Sequence, residues 1–359
     1  MRAFVAAGHD VAVITSSEME PLLRREASEN LIVLPAGPLA SVTMTRMADA
    51  TGVSPATEPV PPVIAEFFAG RQVDAGFERA HASAAAWEPD VIISEAMDHI
   101  GPLIAGELGV PFYRHSFGPT RPRLLTETLE RVAAGRAAAL GVAVAATEAL
   151  IDIFPGSLQA PHGESSLRRI PLRPEIHHRP GADPVEKQEA VDPSRLKALV
   201  TFGTVFTDPG VREAAVESMD PRHWDLVITT GGDPGSGSPQ SHPERRYVPF
   251  TPLGELLPGT DLVITAGGAG TVLSALIAGI PMVILPLGAD HDINAARANA
   301  AGVALVVRDP RDIGRAATRM LSDPRYHEQS RIIAAQIAEL PSADVVAAGL
   351  EREIAGRHE

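Results

Sequence analysis

Residues 261–279 read DLVITAGGAGTVLSALIAG, in which two apolar runs flank a glycine-rich centre. The run that ends at Thr265 predicts a strand, because continuous apolar segments of this length suit parallel strands covered on both faces. We expect residues 266–271 to form a turn and residues 272–278 to form a helix that ends at Gly279. A strand, a glycine turn and a helix in this order form the repeating unit of a doubly wound α/β sheet.

The same alternation of strands and helices runs through the rest of the chain. In the second half, apolar segments predict strands at residues 198–202, 224–229, 261–265, 281–285 and 303–307. In the first half, strands are predicted at residues 11–15, 91–94 and 110–113, and a helix is predicted from about Asp98 to Leu108. Both halves are therefore predicted to be α/β.

The composition argues against several classes of protein. With 359 residues the chain is too long for one ordinary core of ~100–200 residues, so two domains are expected. The formal net charge of −14 repels nucleic-acid phosphates, and the absence of Cys excludes disulfides and thiolate chemistry. No run approaches the ~18 apolar residues of a membrane span. The first residues lack the apolar core of a signal peptide, so a cytoplasmic location is expected.

A proline-rich stretch separates the two predicted domains. Between residues 154 and 194 the periodicity fades and prolines recur, which is typical of an interdomain connection. We predict an N-terminal domain at residues 1–165, a linker at residues 166–195 and a C-terminal domain at residues 196–342. A last helix within residues 343–359 is predicted to pack back on the N-terminal domain.

Gly267, Gly268 and Gly270 are candidates for an anion site. Glycines between a strand and a helix let backbone N–H groups approach an anion, and the positive end of the helix dipole adds to the attraction. No Gly-Lys-Ser or Gly-Lys-Thr follows, so the stretch is not a Walker loop. The alternative is that the glycines only allow tight packing of the helix on the strand, with no ligand.

Two further polar loops are predicted at the same edge of the sheet. Asp290 and His291 follow one predicted strand and are suited to hydrogen-bond the hydroxyls of a polar ligand. Gly203 and Thr204 follow another strand, and open α/β sheets bind ligands at the carboxyl ends of their strands. The alternative role for Asp290 is an ordinary helix N-cap.

The order of these motifs resembles the GT-B glycosyltransferases of family 1, and in particular the actinobacterial branch that attaches sugars to natural products. The motifs are residues 200–204, 247–250, 256–258, 261–271 and 279–295. The resemblance covers the predicted C-terminal domain almost completely, and in the N-terminal domain it rests on residues 8–11 and 89–111. It implies a GT-B fold, in which two Rossmann-like doubly wound domains face a cleft.

The resemblance also implies which residues bind a nucleotide-sugar donor. These are Gly203 and Thr204 on a phosphate-facing turn, Val248 and Pro249 beside the nucleobase, Ala266, Gly267, Gly268, Gly270 and Thr271 on the diphosphate loop, and Asp290 and His291 at the sugar hydroxyls. Family members usually carry His where this sequence has Ala266. Loss of that charge-assisted contact is expected to weaken leaving-group stabilisation by on the order of 1–3 kcal/mol.

The activity that the resemblance implies is sugar transfer with inversion at the anomeric carbon. The donor is a TDP- or UDP-sugar, the acceptor is a small, apolar natural-product aglycone, and neither a metal nor another cofactor is expected. A general base deprotonates the acceptor hydroxyl while helix N-termini stabilise the leaving diphosphate. No nucleic-acid partner is expected, and a homodimer is an open expectation.

The usual catalytic base of the family has no counterpart in this sequence. Family members begin with a central strand and a loop that bears a catalytic His, whereas this sequence starts within the part that matches their first helix. The N-terminal domain is therefore expected to be truncated at its start. The remaining catalytic candidates are Glu95, Asp98 and His115, each of which is also explicable as an ordinary structural, loop or surface residue. The alternative functions are a catalytically silent homologue with a binding or auxiliary role, and a GT-B epimerase.

Overall fold

The computed structural model describes residues 1–26, 31–56, 58–159, 167–178, 195–203, 208–231 and 244–357. The chain forms two compact units. Unit 1 comprises Met1–Ile153, Pro161–Leu172 and Pro341–Glu359, and unit 2 comprises Phe154–Ala160 and Arg173–Leu340.

Short parallel strands and helices alternate along both units, as the sequence predicts. The strands are β1 (Ala12–Thr15), β2 (Ile32–Pro35), β3 (Ile92–Glu95), β4 (Phe112–His115), β5 (Thr147–Asp152), β6 (Arg169–Pro171), β7 (Leu196–Thr201), β8 (Trp224–Thr229), β9 (Arg245–Val248), β10 (Leu262–Thr265), β11 (Met282–Ile284) and β12 (Ala304–Val306). The helices are α1 (Arg2–Ala6), α2 (Glu20–Glu26), α3 (Ala40–Thr51), α4 (Pro61–Ala65), α5 (Gln72–Trp87), α6 (Gly101–Leu108), α7 (Arg123–Leu140), α8 (Pro209–Glu217), α9 (Leu253–Leu256), α10 (Ala269–Ile277), α11 (His291–Ala300), α12 (Ile313–Ser322), α13 (Arg325–Ala338) and α14 (Ala343–Ala355).

Unit 1 contains two parallel sheets. One has the order β3-β4-β5-β6, and the other pairs β1 with β2. Ile14 of β1 and Ile92 of β3 both pack against a core cluster that includes Val73 and Phe77 of α5. In the described part of unit 1 no strand joins β1 to β3 by hydrogen bonds, so a shared helix face holds the two sheets together.

The last helix, α14, packs in unit 1. Val346 and Leu350 are buried in one cluster with Tyr113 of β4. The Tyr113 hydroxyl donates to Glu353 Oε1 at 2.9 Å, and Arg168 Nη2 also donates to the Glu353 carboxylate, at 2.7 Å to Oε1. Unit 1 is therefore completed by the carboxyl end of the chain.

Two parts of the predicted domain boundary are wrong. Strand β6 lies inside the predicted linker 166–195, yet Arg169 pairs with Leu150 of β5 in the unit 1 sheet. A three-residue strand among prolines is too short to show a period of two. The described residues 154–159, predicted as part of the N-terminal domain 1–165, belong to unit 2, because a short helix at Gly156–Leu158 packs on α11.

Residues 325–355 form the one stretch of the described chain that is long and apolar enough to cross a membrane. The structure divides this stretch into α13 and α14, which have 14 and 13 residues. Ser342 caps α14, and its hydroxyl accepts from the Val345 N–H. Each helix is shorter than the ~20 residues that span a bilayer.

Unit 2 is one six-stranded parallel sheet. Its strand order is β12-β11-β10-β7-β8-β9. One face packs against α8 and α12, and its core includes Trp224, Ile228 and Met320. The chain leaves β7 towards β8 and β9 on one side, and then returns to build β10, β11 and β12 on the other. The order therefore reverses between β7 and β10, which is where doubly wound sheets bind ligands.

Candidate functional site

The loops at the reversal point of the unit 2 sheet carry most of the predicted donor-binding residues. Gly203 follows β7 and has φ +81°, a left-handed conformation that glycine adopts without strain. A small pocket opens beside it, lined by Gly203 and by Thr230 and Gly231 at the end of β8. Thr204 lies outside the described residues.

The glycine loop between β10 and α10 presents backbone donors. Helix α10 begins at Ala269, earlier than the predicted start at residue 272, so Gly270 and Thr271 belong to its first turn and not to the loop before it. The Gly268 carbonyl accepts from the N–H of Thr271 at 3.0 Å. The N–H groups of Ala269 and Gly270 come before this first bond, so the helix itself does not use them. Because the N-cap is glycine, no side chain in the sequence marks the helix start. The helix N-terminus at this edge is suited to bind an anion.

Gly267 allows the loop to lie against the neighbouring strand. Its φ is +95°, and a Cβ at this position would lie 2.8 Å from Ile284 Cγ2 and 3.3 Å from the His291 carbonyl oxygen. Both the backbone conformation and the lack of space therefore require glycine here. Tight packing and a ligand site, which the sequence presents as alternatives, are compatible at Gly267 and Gly268.

Asp290 and His291 lie at the start of α11, beside the glycine loop. The N–H of Leu287 donates to His291 Nδ1 at 3.3 Å, which leaves Nε2 as the protonated nitrogen. That Nε2 lies 3.9 Å from the place of a Cβ on Gly268. Burial lowers the pKa of His291, against the opposing charges of Asp290 and Asp292, so the imidazole is neutral at pH 7. His291 can thus donate a hydrogen bond towards the glycine loop.

Asn294 connects the two loops, and sequence reasoning did not identify it. Its Nδ2 donates to the Gly267 carbonyl at 2.8 Å and to Asp290 Oδ2 at 2.8 Å. Asp290 stands at the N-cap of α11 without capping it by its side chain. The fully buried Asn294 instead holds this carboxylate. The spacing of Asp290 and Asn294, four residues apart on one helix face, is the available signal.

The other predicted donor residues lie at or near the same edge. The side chain of Ala266 is 2% exposed and packs in the core, so it offers no polar atom to a ligand. Val248 ends the edge strand β9, where its carbonyl accepts from the Thr230 N–H, and the exposed Pro249 follows it. Both lie at the carboxyl edge of the sheet, next to the loop after β8.

The three catalytic candidates are in unit 1, and their side chains differ in how available they are to accept a proton. Asp98 caps α6, because Oδ1 accepts from the Ile100 N–H and Oδ2 accepts from the Gly101 N–H. Glu95 keeps an exposed surface although one oxygen accepts from the Met97 N–H at 2.7 Å, and burial of the carboxyl raises its pKa. Burial lowers the pKa of His115. His115 shares its strand face with Tyr113, which contacts α14.

Family models match both units of the chain. Residues 62–174 match the model described as "Erythromycin biosynthesis protein CIII-like, N-terminal domain", and residues 225–352 match the corresponding C-terminal domain. The L-demethylnoviosyl transferase of Streptomyces niveus is 30% identical over 366 residues, which cover 98% of this chain and 92% of that protein. The chain belongs to the EryCIII-like glycosyltransferases. It is a GT-B enzyme that depends on a nucleotide sugar.

Other relatives of this glycosyltransferase agree with the assignment. The elloramycin glycosyltransferase of Streptomyces olivaceus is 30% identical over 297 residues, covering 80% of this chain and 74% of that protein. Among solved structures, the Streptomyces sp. SF2575 glycosyltransferase SsfS6 complexed with thymidine diphosphate superimposes with a TM-score of 0.77 at 24% identity, covering 98% of this chain and 93% of that one. The spinosyn rhamnosyltransferase SpnG gives a TM-score of 0.81 at 20% identity, covering 97% and 94%. These structures share the fold.

Proposed function

We propose that this glycosyltransferase transfers a sugar, with inversion, from a TDP- or UDP-sugar to a small, apolar natural-product aglycone in the cytoplasm. The observation that carries the proposal is the helix N-terminus of α10 at the reversal point of the unit 2 sheet, with His291 and Asp290 beside it. The relatives support the donor class, since one related structure contains thymidine diphosphate. Unit 2 would bind the donor and unit 1 the acceptor.

The leaving group would be stabilised by neutral donors. As the bond between the anomeric carbon and the diphosphate breaks, negative charge develops on the departing oxygen. The N–H groups of Ala269 and Gly270, the α10 dipole and the His291 Nε2–H would stabilise that charge. Asp290, which Asn294 holds in place, would accept hydrogen bonds from the sugar hydroxyls. We propose that this set acts without a metal ion.

Among the three catalytic candidates, Glu95 is the best suited to act as general base. Both oxygens of Asp98 are occupied by backbone donors, and His115 shares its strand face with Tyr113, which contacts α14. Glu95 is exposed at the carboxyl end of β3, and its raised pKa brings it closer to the working range of a base at neutral pH. It would accept the proton of the acceptor hydroxyl as the acceptor oxygen attacks the anomeric carbon.

The test compares two substitutions at Gly268. Its φ of −59° suits any residue, and His291 Nε2, at 3.9 Å, would be the nearest atom of the described fold to a Cβ here. Gly268→Asp places a carboxylate at the helix N-terminus, so calorimetric binding of TDP and UDP should weaken at least about tenfold, which corresponds to 1.4 kcal/mol. Gly268→Asn has nearly the same shape without the charge and should bind more tightly than Gly268→Asp.

Binding of neither nucleotide to the unmodified chain would contradict the proposed donor site. Equal binding by the Asp and Asn variants would place the diphosphate elsewhere. For the transfer step, a TDP-sugar of known anomeric configuration is incubated with a phenolic acceptor, and the product is examined by NMR. Retained configuration would contradict the inverting mechanism, and an altered sugar formed without acceptor would indicate an epimerase.

A further inference from the structure

Two guanidinium groups lie together in unit 1, at the carboxyl end of β4. Arg114 belongs to β4, and Arg121 lies in the segment before α7. Burial lowers the pKa of Arg114, and it lowers the pKa of Arg121 to about 10, with the charge of Arg114 as the next cause. Both guanidinium groups donate to the Ala96 carbonyl oxygen, so the two positive charges are close enough to repel each other. We call them the Arg114–Arg121 pair.

The pair uses only part of its hydrogen-bonding capacity. Arg114 Nη1 donates to the carbonyls of Ala96 and Asp98, at 3.3 and 3.0 Å. Arg121 Nη1 donates to the same Ala96 carbonyl at 2.5 Å and contacts Met97 Sδ at 3.0 Å. Among the described residues, Nε and Nη2 of both arginines have no hydrogen-bond partner, and neither guanidinium forms an ion pair. These nitrogens are not among the unpartnered atoms that the protein fully encloses, and both arginines are only partly buried, so the pair keeps some contact with solvent.

The nearby acidic groups do not neutralise the pair by contact. Asp98 uses its two oxygens to cap α6, and Glu95 accepts from the Met97 N–H. Glu130 raises the pKa of both arginines by its charge, but among the described residues it forms no ion pair with either. A partly buried charge that is hydrogen-bonded only to neutral carbonyls is costly, because it has lost water without gaining a counter-ion. Two such charges side by side favour the entry of an anion. A guanidinium presents its N–H groups in a planar fork that fits the two oxygens of a carboxylate.

Apolar side chains accompany the pair along the chain. Phe117 and Leu124, which precede and follow Arg121 in sequence, are 41% and 63% exposed. Leu125 and Leu129 of α7 are buried in a cluster with Met97, whose Sδ contacts Arg121 Nη1. A ligand with an apolar body and one acidic group matches this combination of chemistry.

We infer that the Arg114–Arg121 pair binds an acidic oxygen of the acceptor. The acceptor class is then an apolar aglycone that carries a carboxylate, an acidic phenol or an acidic enol in addition to the hydroxyl that receives the sugar. The inference rests on the proposed function, because it assumes that unit 1 binds the acceptor. It narrows that function from apolar aglycones in general to acidic ones.

The test uses two fluorescent ligands that differ in one charge. The full chain is titrated with 6-hydroxy-2-naphthoate and with 6-hydroxy-2-naphthamide, and we expect the carboxylate to bind at least about tenfold more tightly, as charged hydrogen bonds allow. Arg121→Gln and Arg114→Gln should each remove most of this preference, and Arg121→Lys should keep part of it. The control is Arg123→Gln, because Arg123 is exposed and pairs with Glu127 on the surface of α7. A second pair, 4-nitrophenolate and 4-nitroanisole, asks whether an acidic phenol is accepted as well.

The unmodified chain alone is sufficient to overturn the inference. Equal binding of the naphthoate and the naphthamide by this chain would refute the inference. In the variants, a preference for the naphthoate that both Gln substitutions retain, with unchanged thermal unfolding, would also refute it. TDP titration reports separately on unit 2. If TDP does not bind while the naphthoate preference persists and depends on the pair, the proposed function fails and the anion site remains. If TDP binds and the preference is absent, only the acidic acceptor class is refuted.

Discussion

At the scale of single residues, His99 is a buried imidazole that remains neutral. It is 5% exposed, and its Nε2 has no hydrogen-bond partner among the described residues. Burial, followed by the charges of Arg114 and Arg121, lowers its pKa to about 3 from 6.5. Below about pH 6.5, His99 is therefore protonated in the unfolded chain and not in the folded chain. The contribution of the neutral imidazole to the free energy of unfolding is complete above that pH and is lost as the pH falls towards 3.

His99→Gln should remove this component of the pH dependence. Between pH 6 and pH 5, the group contributes a loss of roughly 1.2 kcal/mol in the free energy of unfolding of the unmodified chain. The measurement is urea unfolding at both pH values in a Trp224→Phe background, where Trp87 of α5 is the only tryptophan and reports on unit 1. An identical pH dependence with and without the imidazole would show that His99 is protonated in the folded state.

At the scale of elements, two helices of unit 1 each contain a glycine, and the two positions differ in whether they leave space for a side chain. A Cβ on Gly106 of α6 would lie 2.4 Å from the Ala143 carbonyl oxygen, whereas a Cβ on Gly135 of α7 would meet no atom within 4 Å. Gly106→Ala should therefore lower the free energy of unfolding by about 1–3 kcal/mol through overpacking against backbone. Gly135→Ala should raise it by about 0.5–1 kcal/mol through helix propensity. Urea unfolding read by Trp87 compares the two, and a Gly106→Ala chain as stable as the parent would contradict the close approach.

Sequence reasoning located the elements whose signal is local. Strands β7 and β10 are buried on both faces and read as continuous apolar runs, so they could be predicted. Strand β9 reads Arg-Arg-Tyr-Val and lies at the sheet edge, where one side faces solvent, so no apolar run marks it. Helix α10 begins earlier than predicted because a glycine N-cap gives no side-chain signal.

The candidate site, like the fold, could be predicted only where its signal is local in the sequence. Adjacent residues at strand ends, such as Asp290 and His291, could be assigned to one edge from the topology of parallel sheets. Asn294 and the Arg114–Arg121 pair could not, because their roles depend on which way each side chain points after packing. A lone Asn in a helix or an Arg at the end of a strand has no distinguishing pattern in sequence.

At the scale of the whole molecule, α14 should be needed by unit 1 and not by unit 2. Ending the chain at Leu340 removes the buried Val346 and Leu350, which should cost unit 1 roughly 3–6 kcal/mol. TDP binding, which we assign to unit 2, should persist. The readouts are Trp87 fluorescence for unit 1 and calorimetry with TDP for unit 2.

A single substitution separates packing from charge in this experiment. Glu353→Gln keeps the apolar contacts of α14 and weakens its ion pair with the half-exposed Arg168, so the cost should stay below about 1 kcal/mol. If Glu353→Gln destabilised unit 1 as much as the truncation does, charge and not apolar burial would hold the helix in place. Loss of TDP binding in the truncated chain would show that the two units depend on each other.

The discontinuity of unit 1 also sets the order in which a newly made chain can fold. Synthesis proceeds from the amino end, so Arg173–Leu340 of unit 2 leaves the ribosome before α14 does. Until then, the sheet face around Tyr113 and Ile151 lacks the helix that covers it. A nascent chain can thus hold a folded second unit while its first unit is still open, and the uncovered sheet face is the surface that a chaperone would meet.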